Sequence, residues 1–129
     1  MTATTKNRVP KVLVVDDEQM IADTLKAILT RSGYDARATY CGEAAVETAR
    51  NFQPDMLLTD VAMPGINGIE TAIKVREMLP HCKVLLFSGQ VATADLLEKA
   101  RAQNLDFELL CKPIHPSDLL ARMHEALSC

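Results

Sequence analysis

The sequence lacks a long apolar run and an apolar signal-peptide core. Its uninterrupted apolar stretches span only a few residues, far fewer than a membrane helix needs. The opening "MTATTKNRVPK" is polar throughout, so we interpret residues 1–10 as a flexible tail before one domain over residues 11–129. The 129 residues fit a single domain, and no internal repeat or linker suggests a second one. We expect no contact with a membrane.

The cysteines and histidines lack the spacing of a metal or redox motif. No CxxC pair occurs, and the histidines are equally scattered. Isolated thiols in a reducing cytoplasm are therefore favoured over disulfides or a zinc site, which predicts a cytoplasmic protein. The four cysteines are Cys41, Cys82, Cys111 and Cys129.

Positive charge is also scarce. The 14 Lys and Arg residues against 17 Asp and Glu residues give a net charge of −3, and no basic stripe is present. This balance argues against direct nucleic-acid binding. Any effect on genes is expected to act through another protein or a missing domain.

Short apolar strand patterns alternate five times with longer helical patterns. Five βα units in succession predict an α/β fold, in which a doubly wound parallel sheet carries helices on both faces. The predicted strands are "KVLVV", "DARATY", "DMLLTD", "KVLLFSG" and "FELLCKP". The predicted helices are "EQMIADTLKAILTRSG", "GEAAVETARNF", "IETAIKVREML", "TADLLEKARAQN" and "HPSDLLARMHEAL".

Helical periodicity and breakers predict which helix faces are buried and where helices end. Gly33 is placed to cap the first helix, the second should end before Pro54, and Pro116 suits the first turn of the last. The predicted apolar stripe of the first helix is Ile21, Leu25, Ile28 and Leu29, and that of the third is Ile69, Ala72, Ile73 and Leu79.

Polar residues follow four of the five predicted strands. Sites in open parallel sheets lie beyond the carboxyl ends of the strands, so we expect these residues to gather at one edge. Each has an ordinary explanation alone, for example Asp17 as a helix N-cap or Asp60 in an Asx turn, but those readings leave the gathering unexplained. The residues are Asp16 and Asp17, then Asp60, then Ser88 and Gly89, then Lys112.

Three carboxylates in one pocket would repel one another and raise a pKa. A divalent cation and an ammonium group relieve that repulsion, and hard oxygen ligands favour Mg²⁺ or Mn²⁺ over zinc. Asp60 is the best candidate for a nucleophile that forms an aspartyl phosphate. Lys112 and the metal would neutralise charge on the phosphoryl oxygens, and Ser88 would hydrogen-bond one of them.

The segments "VLVVDDE", "DMLLTDVAMPGINGIE", "LLFSG" and "KP" resemble, in order and spacing, the receiver domains of two-component response regulators. The resemblance covers the chain after about the first ten residues. It implies a flavodoxin-like five-stranded parallel sheet with strand order 2-1-3-4-5. The chain looks like a stand-alone receiver of the chemotaxis type.

The resemblance also implies roles for individual residues. Asp60 would be the phosphoacceptor, Asp17 a direct metal ligand and Asp16 a partner that acts through metal-bound water. The backbone carbonyl of Ala62 would complete the protein ligands. Lys112 would contact the phosphoryl group, Ser88 would be the hydroxyl switch residue, and a cis bond would precede Pro113.

One position departs from the family pattern, and two more are expected to tune the site. Receivers usually carry Tyr or Phe where this sequence has Leu109, which puts the aromatic switch in doubt. Phe107 points the same way on an extended strand, so it either covers part of that surface or, together with Leu109, simply packs. Ala62 and Gln90 flank the phosphoryl position and would tune hydrolysis.

The predicted function is that of a phosphoacceptor. A sensor histidine kinase or a histidine phosphotransfer protein would donate the phosphoryl group. A change in the face formed by the fifth strand and the last two helices would then reach a downstream protein partner. We expect no enzyme activity beyond metal-assisted self-phosphorylation and autodephosphorylation.

Two alternatives remain beside this prediction. A degenerate receiver would use the same fold only as an interaction module, without phosphorylation. An enzyme on a similar sheet is disfavoured, because the haloacid dehalogenase phosphatases need Asp-x-Asp after the first strand and dinucleotide enzymes need Gly-x-Gly-x-x-Gly. The first turn here is "DDEQ".

Overall fold

The computed structural model describes residues 9–89, 98, 101, 107–112 and 115–128. The strands are β1 (Lys11–Val15), β2 (Asp35–Thr39), β3 (Met56–Asp60), β4 (Lys83–Ser88) and β5 (Glu108–Cys111). The helices are α1 (Gln19–Arg31), α2 (Gly42–Phe52), α3 (Gly68–Met78) and the C-terminal helix (Pro116–Leu127).

The five strands form one parallel sheet in the order β2-β1-β3-β4-β5. This arrangement confirms the predicted fold class and strand order. The order reverses between β1 and β3, which are hydrogen-bonded neighbours although β2 lies between them in the chain. Their carboxyl ends therefore open onto the position where ligands bind in such sheets.

Buried side chains alternate between the two faces of the sheet. Leu13 and Val15 of β1 pack with α2 and α3, whereas Val12 and Val14 pack with α1 and the C-terminal helix. Helices on both faces explain why the inner strands are continuous apolar runs rather than alternating ones. The two layers hold the ends of the central strands in fixed positions.

The predicted apolar stripes are partly wrong at their margins. In α1 the fully covered positions are Ala22, Leu25 and Leu29, while Ile21 and Ile28 are only partly buried. The small residue Ala22, which lies outside the predicted stripe, is fully buried.

The stripe of α3 differs for another reason. Ile69 and Ala72 are buried as predicted, but Val75 is also buried, Ile73 is only partly buried, and Leu79 is the C-cap rather than a helical residue. The helix ends at Met78, so the periodicity does not extend to Leu79.

The helix ends predicted from Gly33, Pro54 and Pro116 agree with the structure. Gly33 follows α1 with φ 100°, in the left-handed region that glycine tolerates. Gln53 ends α2 immediately before Pro54, and Pro116 occupies the first turn of the C-terminal helix. Asn67 and Glu70 form a reciprocal capping box that starts α3.

The helix predicted for "TADLLEKARAQN" lies mostly outside the described residues. Glu98 and Arg101, which are described, are both helical and exposed. Within the described part of the chain, no helix combines the length and the apolar character needed to cross a membrane. The boundary predicted between tail and domain stays a prediction, since residues 1–8 are outside the described residues.

Candidate functional site

The polar residues predicted at the strand ends do converge at one edge of the sheet. Asp16 follows β1, Asp60 and Ser88 are the last residues of β3 and β4, and Lys112 follows β5. Backbone hydrogen bonds hold this edge together, because the Lys112 N–H donates to the Ser88 carbonyl at 3.0 Å and the Asp16 N–H donates to the Thr39 carbonyl at 3.2 Å.

Lys112 bridges the two buried carboxylates of this edge. Its Nζ lies 3.3 Å from Asp16 Oδ2 and 3.4 Å from Asp60 Oδ2. Asp16 is fully buried, and its other oxygen accepts a hydrogen bond from the Glu18 N–H at 2.9 Å. One ammonium group thus ties β5 to the two central strands of the site.

Electrostatics make this arrangement costly for the carboxylates. Burial raises the pKa of Asp16, and the nearby Glu18 N–H and Lys112 offset only part of that rise. Burial also raises the pKa of Asp60; Lys112 lowers it while the Asp16 charge raises it further. Although burial opposes its charge, the two carboxylates raise the pKa of Lys112 above 10.5, so it is protonated at neutral pH.

Asp17 completes a group of three carboxylates. Unlike Asp16 and Asp60 it is exposed, yet one oxygen from each of the three lies within 4.8 Å of the others. Among the described residues, Lys112 is the one ammonium group paired with these three carboxylates, which leaves an excess of negative charge at the site. Hard oxygen donors in this number fit Mg²⁺ or Mn²⁺, and no thiolate or imidazole belongs to the group.

The loop of residues 61–67 joins the site to α3 and contains Ala62. Val61 and Met63 anchor it in the core, and the Gly68 N–H donates to the Val61 carbonyl at 2.8 Å. A Cβ on Gly68 would overlap the carbonyl oxygen of Asp60. The glycine that closes the "PGING" segment therefore lets α3 begin directly against the backbone of Asp60.

Phe107 and Leu109 lie on the same face, as the strand geometry predicts. Phe107 is buried in the core that α2 and α3 cover, with the Arg76 guanidinium carbon 5.4 Å from its ring centroid. Leu109 packs partly buried against that core and is paired in register with Leu86. Both side chains therefore pack, which agrees with the simpler of the two interpretations.

Of the remaining predicted positions, two are described and two lie outside the described residues. Ala62 is partly buried in the loop after β3, and Ser88 is buried at the end of β4. Gln90 and Pro113 are outside the described residues, so the tuning position and the cis bond stay predictions.

Asp17 is not the N-cap of α1, so the alternative in which Asp17 serves only as a helix N-cap is wrong. Glu18 occupies the N-cap position, and the Asp16 carboxylate accepts its N–H. Sequence reasoning missed this second role of Asp16. The signal was present, since a short acidic side chain commonly accepts the backbone N–H two residues further on, which here belongs to the N-cap of the helix.

Comparison with known proteins agrees with this geometry. The family model of the response regulator receiver domain matches residues 12–124. The chain is 34% identical over 119 residues to the chemotaxis protein CheY of Thermotoga maritima. The aligned region covers 92% of this chain and 94% of that protein. It is 33% identical to the alkaline phosphatase synthesis transcriptional regulatory protein PhoP of Bacillus subtilis, over 91% of this chain but only 48% of that protein.

A solved structure supports the same assignment. The CheY-like response regulator receiver domain protein from Methanospirillum hungatei superimposes with a TM-score of 0.82 at 25% identity, covering 94% of this chain and 95% of that one. The order of the strands, the acidic edge and the matched family model lead to one conclusion: the chain belongs to the response regulator receiver domain family, which acts in two-component signalling.

Proposed function

We propose that Asp60 is the phosphoacceptor of this receiver. A carboxylate oxygen of Asp60 attacks the phosphorus of the donor, so that a P–O bond forms while the P–N bond of the donor phosphohistidine breaks. The observation that carries the proposal is the Lys112 ammonium, which lies 3.4 Å from Asp60 and also holds Asp16. A positive charge therefore lies beside the carboxylate that would become the acyl phosphate.

The site would hold Mg²⁺ or Mn²⁺ through the carboxylates of Asp16, Asp17 and Asp60 and the backbone carbonyl of Ala62. When bound, the ion supplies positive charge that screens the transferred phosphoryl oxygens. Lys112 stabilises the same developing charge from the side of β5. Asp17 is the exposed ligand and Asp16 the buried one, which suits direct coordination by the first and water-mediated contact by the second.

Ser88 would read the phosphorylated state. Ser88 is the last residue of β4, and its backbone carbonyl accepts the Lys112 N–H. A phosphoryl oxygen on Asp60 would draw the Ser88 hydroxyl inward. This would change the face formed by β5, the helix predicted for "TADLLEKARAQN" and the C-terminal helix. Because Leu109 packs where an aromatic residue usually stands, we propose that this change proceeds without an aromatic rotation.

The partners follow from the proposed chemistry. A sensor histidine kinase or a histidine phosphotransfer protein would supply the phosphoryl group, and hydrolysis of the acyl phosphate would reset the protein. The chain spans nearly all of the chemotaxis relative but about half of the DNA-binding relatives it matches. We propose a downstream protein, rather than DNA, as the direct partner of this domain, because its net charge is −3 and its sequence has no basic stripe.

Phosphoryl acceptance can be tested with acetyl phosphate and Mg²⁺. Intact-mass spectrometry should detect one phosphoryl adduct on the wild type and none on Asp60→Asn. Asp55→Asn is the matched control, because it removes a carboxylate at the other end of β3 and should leave the adduct intact. No adduct on the wild type would favour the degenerate receiver. An adduct on Asp60→Asn would show that a residue other than Asp60 accepts the phosphoryl group.

A further inference from the structure

The loop of residues 61–67 is firmly held at both ends but exposed at its tip. At one end the Val61 N–H donates to the Phe87 carbonyl at 3.1 Å, and at the other the Gly68 N–H donates to the Val61 carbonyl. Pro64 and Gly65 at the tip are exposed. Ala62 lies between the buried side chains of Val61 and Met63, two residues before this tip, so the path of the chain through the tip bears on its backbone position as well.

Glu43, in the first turn of α2, reaches this tip. Its Oε2 accepts a hydrogen bond from the Ile66 N–H at 3.4 Å. Its carboxylate also lies against the backbone of Gly65, where a Cβ would stand 2.8 Å from Oε2 and 3.2 Å from Oε1. Gly65 has φ 77°, so the turn takes a left-handed backbone that presents the Ile66 N–H beside Glu43.

The packing of α2 brings Glu43 to the loop. A Cβ on Gly42 would overlap side-chain atoms of Ile66 and Thr71, so only a glycine allows the start of α2 to lie this close. Thr71 is itself fixed, because its hydroxyl donates to the Asn67 carbonyl at 2.8 Å. Ile66, beside the exposed tip, thus lies between the first turns of α2 and α3.

We propose that Glu43 is a positioning residue for the metal site. It holds the tip of the loop and thereby limits the positions open to the Ala62 carbonyl. This inference rests on the proposed function, in which that carbonyl is a metal ligand. Partners that orient a ligand without touching the metal commonly affect metal affinity.

A simpler role for Glu43 must be separated from this one. An acidic residue in the first turn of a helix is stabilised by the helix dipole wherever the helix lies. Glu43→Gln removes that charge but keeps an oxygen that accepts the Ile66 N–H, whereas Glu43→Ala removes both. Glu47→Ala is the matched control, since Glu47 is an exposed residue one turn later on α2 that pairs only with Arg50 among the described contacts.

Mg²⁺ affinity and amide hydrogen exchange test the proposal on the full chain. We expect Glu43→Ala to weaken Mg²⁺ binding about threefold to tenfold in an NMR titration, at the low end for such partners because the bond is long and exposed. Glu43→Gln and Glu47→Ala should stay within about twofold of the wild type. Without metal, Glu43→Ala should speed exchange of the Ile66 amide about threefold or more, because the amide loses its acceptor.

The outcomes separate this inference from the proposed function. Wild-type Mg²⁺ affinity in Glu43→Ala would overturn the positioning role and leave the proposed function intact. An equal loss in Glu43→Gln or in Glu47→Ala would overturn it as well, because charge alone would then explain the effect. A wild type that binds no Mg²⁺ would overturn both.

Discussion

The two ends of the sheet use aspartate in opposite ways. At the amino end, Asp55 accepts the Lys11 N–H at 2.8 Å through its side chain. Its backbone N–H donates to the Lys11 carbonyl at 2.8 Å, and its carbonyl accepts the Lys83 N–H at 3.0 Å. Asp55 therefore extends the hydrogen bonding of three neighbouring strands. At the carboxyl end, Asp16 and Asp60 are buried beside each other with raised pKa values.

Asp55 stabilises the fold, whereas the buried charges of Asp16 and Asp60 destabilise it. Groups held in an unfavourable charge state cluster at functional sites, where a ligand relieves the strain. A site that must attract a metal and a phosphoryl group has to leave some repulsion uncompensated before they bind. The following four predictions test this contrast, from the largest expected effect to the smallest.

Gly68→Ala should lower the free energy of unfolding by about 2 kcal/mol, because its Cβ would overlap the Asp60 carbonyl and force α3 away from the site. Gly89→Ala is the matched control at the same edge, since its Cβ would meet Lys112 Cβ at an ordinary 3.5 Å. Urea unfolding measures both. Equal stabilities of the two variants would show that the close approach at Gly68 is not needed.

Asp55→Ala should lower the free energy of unfolding by about 1 kcal/mol, because the Lys11 N–H loses its acceptor at the start of the sheet. The same variant should take up phosphoryl from acetyl phosphate at the wild-type rate. Slower phosphoryl uptake with unchanged stability in Asp55→Ala would contradict this contrast between the two ends of the sheet.

Asp60→Asn should change stability in the other direction and raise the free energy of unfolding by about 1 kcal/mol in the absence of metal. The amide keeps the shape of the side chain and removes a buried charge whose pKa is raised. Urea unfolding of both aspartate variants in one buffer provides the comparison. A loss of stability in Asp60→Asn as large as that in Asp55→Ala would refute the idea that the carboxyl end is strained.

The pH dependence should show the smallest effect. The folded pKa values of Asp16 and Asp60 lie above the ordinary value of 3.8, so the folded state binds more protons than the unfolded state between the two values. Their contribution to stability is complete below 3.8 and is lost as the pH rises through the folded pKa values. Asp60→Asn should therefore lose less stability than the wild type between about pH 4 and 7.

Mg²⁺ provides the control for that titration. The ion should stabilise the wild type at about pH 7 and have little effect near pH 4, where protonated carboxylates bind it poorly. A wild-type profile parallel to that of Asp60→Asn, with or without Mg²⁺, would contradict the assignment of the titration to this site.

Much of the fold and the site was accessible from the sequence. The alternation of strand and helix patterns predicted the sheet, and the strand-end positions predicted that Asp16, Asp60 and Lys112 would meet. These inferences succeed because parallel strands carry their terminal residues to a common edge whatever the details of packing. The same rule says nothing about which carboxylate is buried.

The parts that could not be predicted depend on how closely two elements approach. Ala22 is buried where α1 packs on the sheet, and Gly42 allows α2 to approach α3, although neither stands out in a periodic pattern. The sequence predicted that an ammonium group would relieve the repulsion among the carboxylates, but not which carboxylate oxygens Lys112 would pair with. Such contacts depend on distances between elements, which a one-dimensional pattern does not contain.

The position of Lys112 has a consequence for chemical labelling. Its ammonium is paired with two carboxylates, lies 5.2 Å from the Phe87 ring centroid, and belongs to a side chain that is 22% exposed. An amine must lose its proton before it attacks an acyl group, and the raised pKa of Lys112 keeps that proton in place. Acetyl phosphate can also acetylate lysines, yet Lys112 should resist acetylation while exposed lysines such as Lys26 react. Once phosphorylation redistributes the charge around it, the reactivity of this one lysine becomes a chemical reporter of the site.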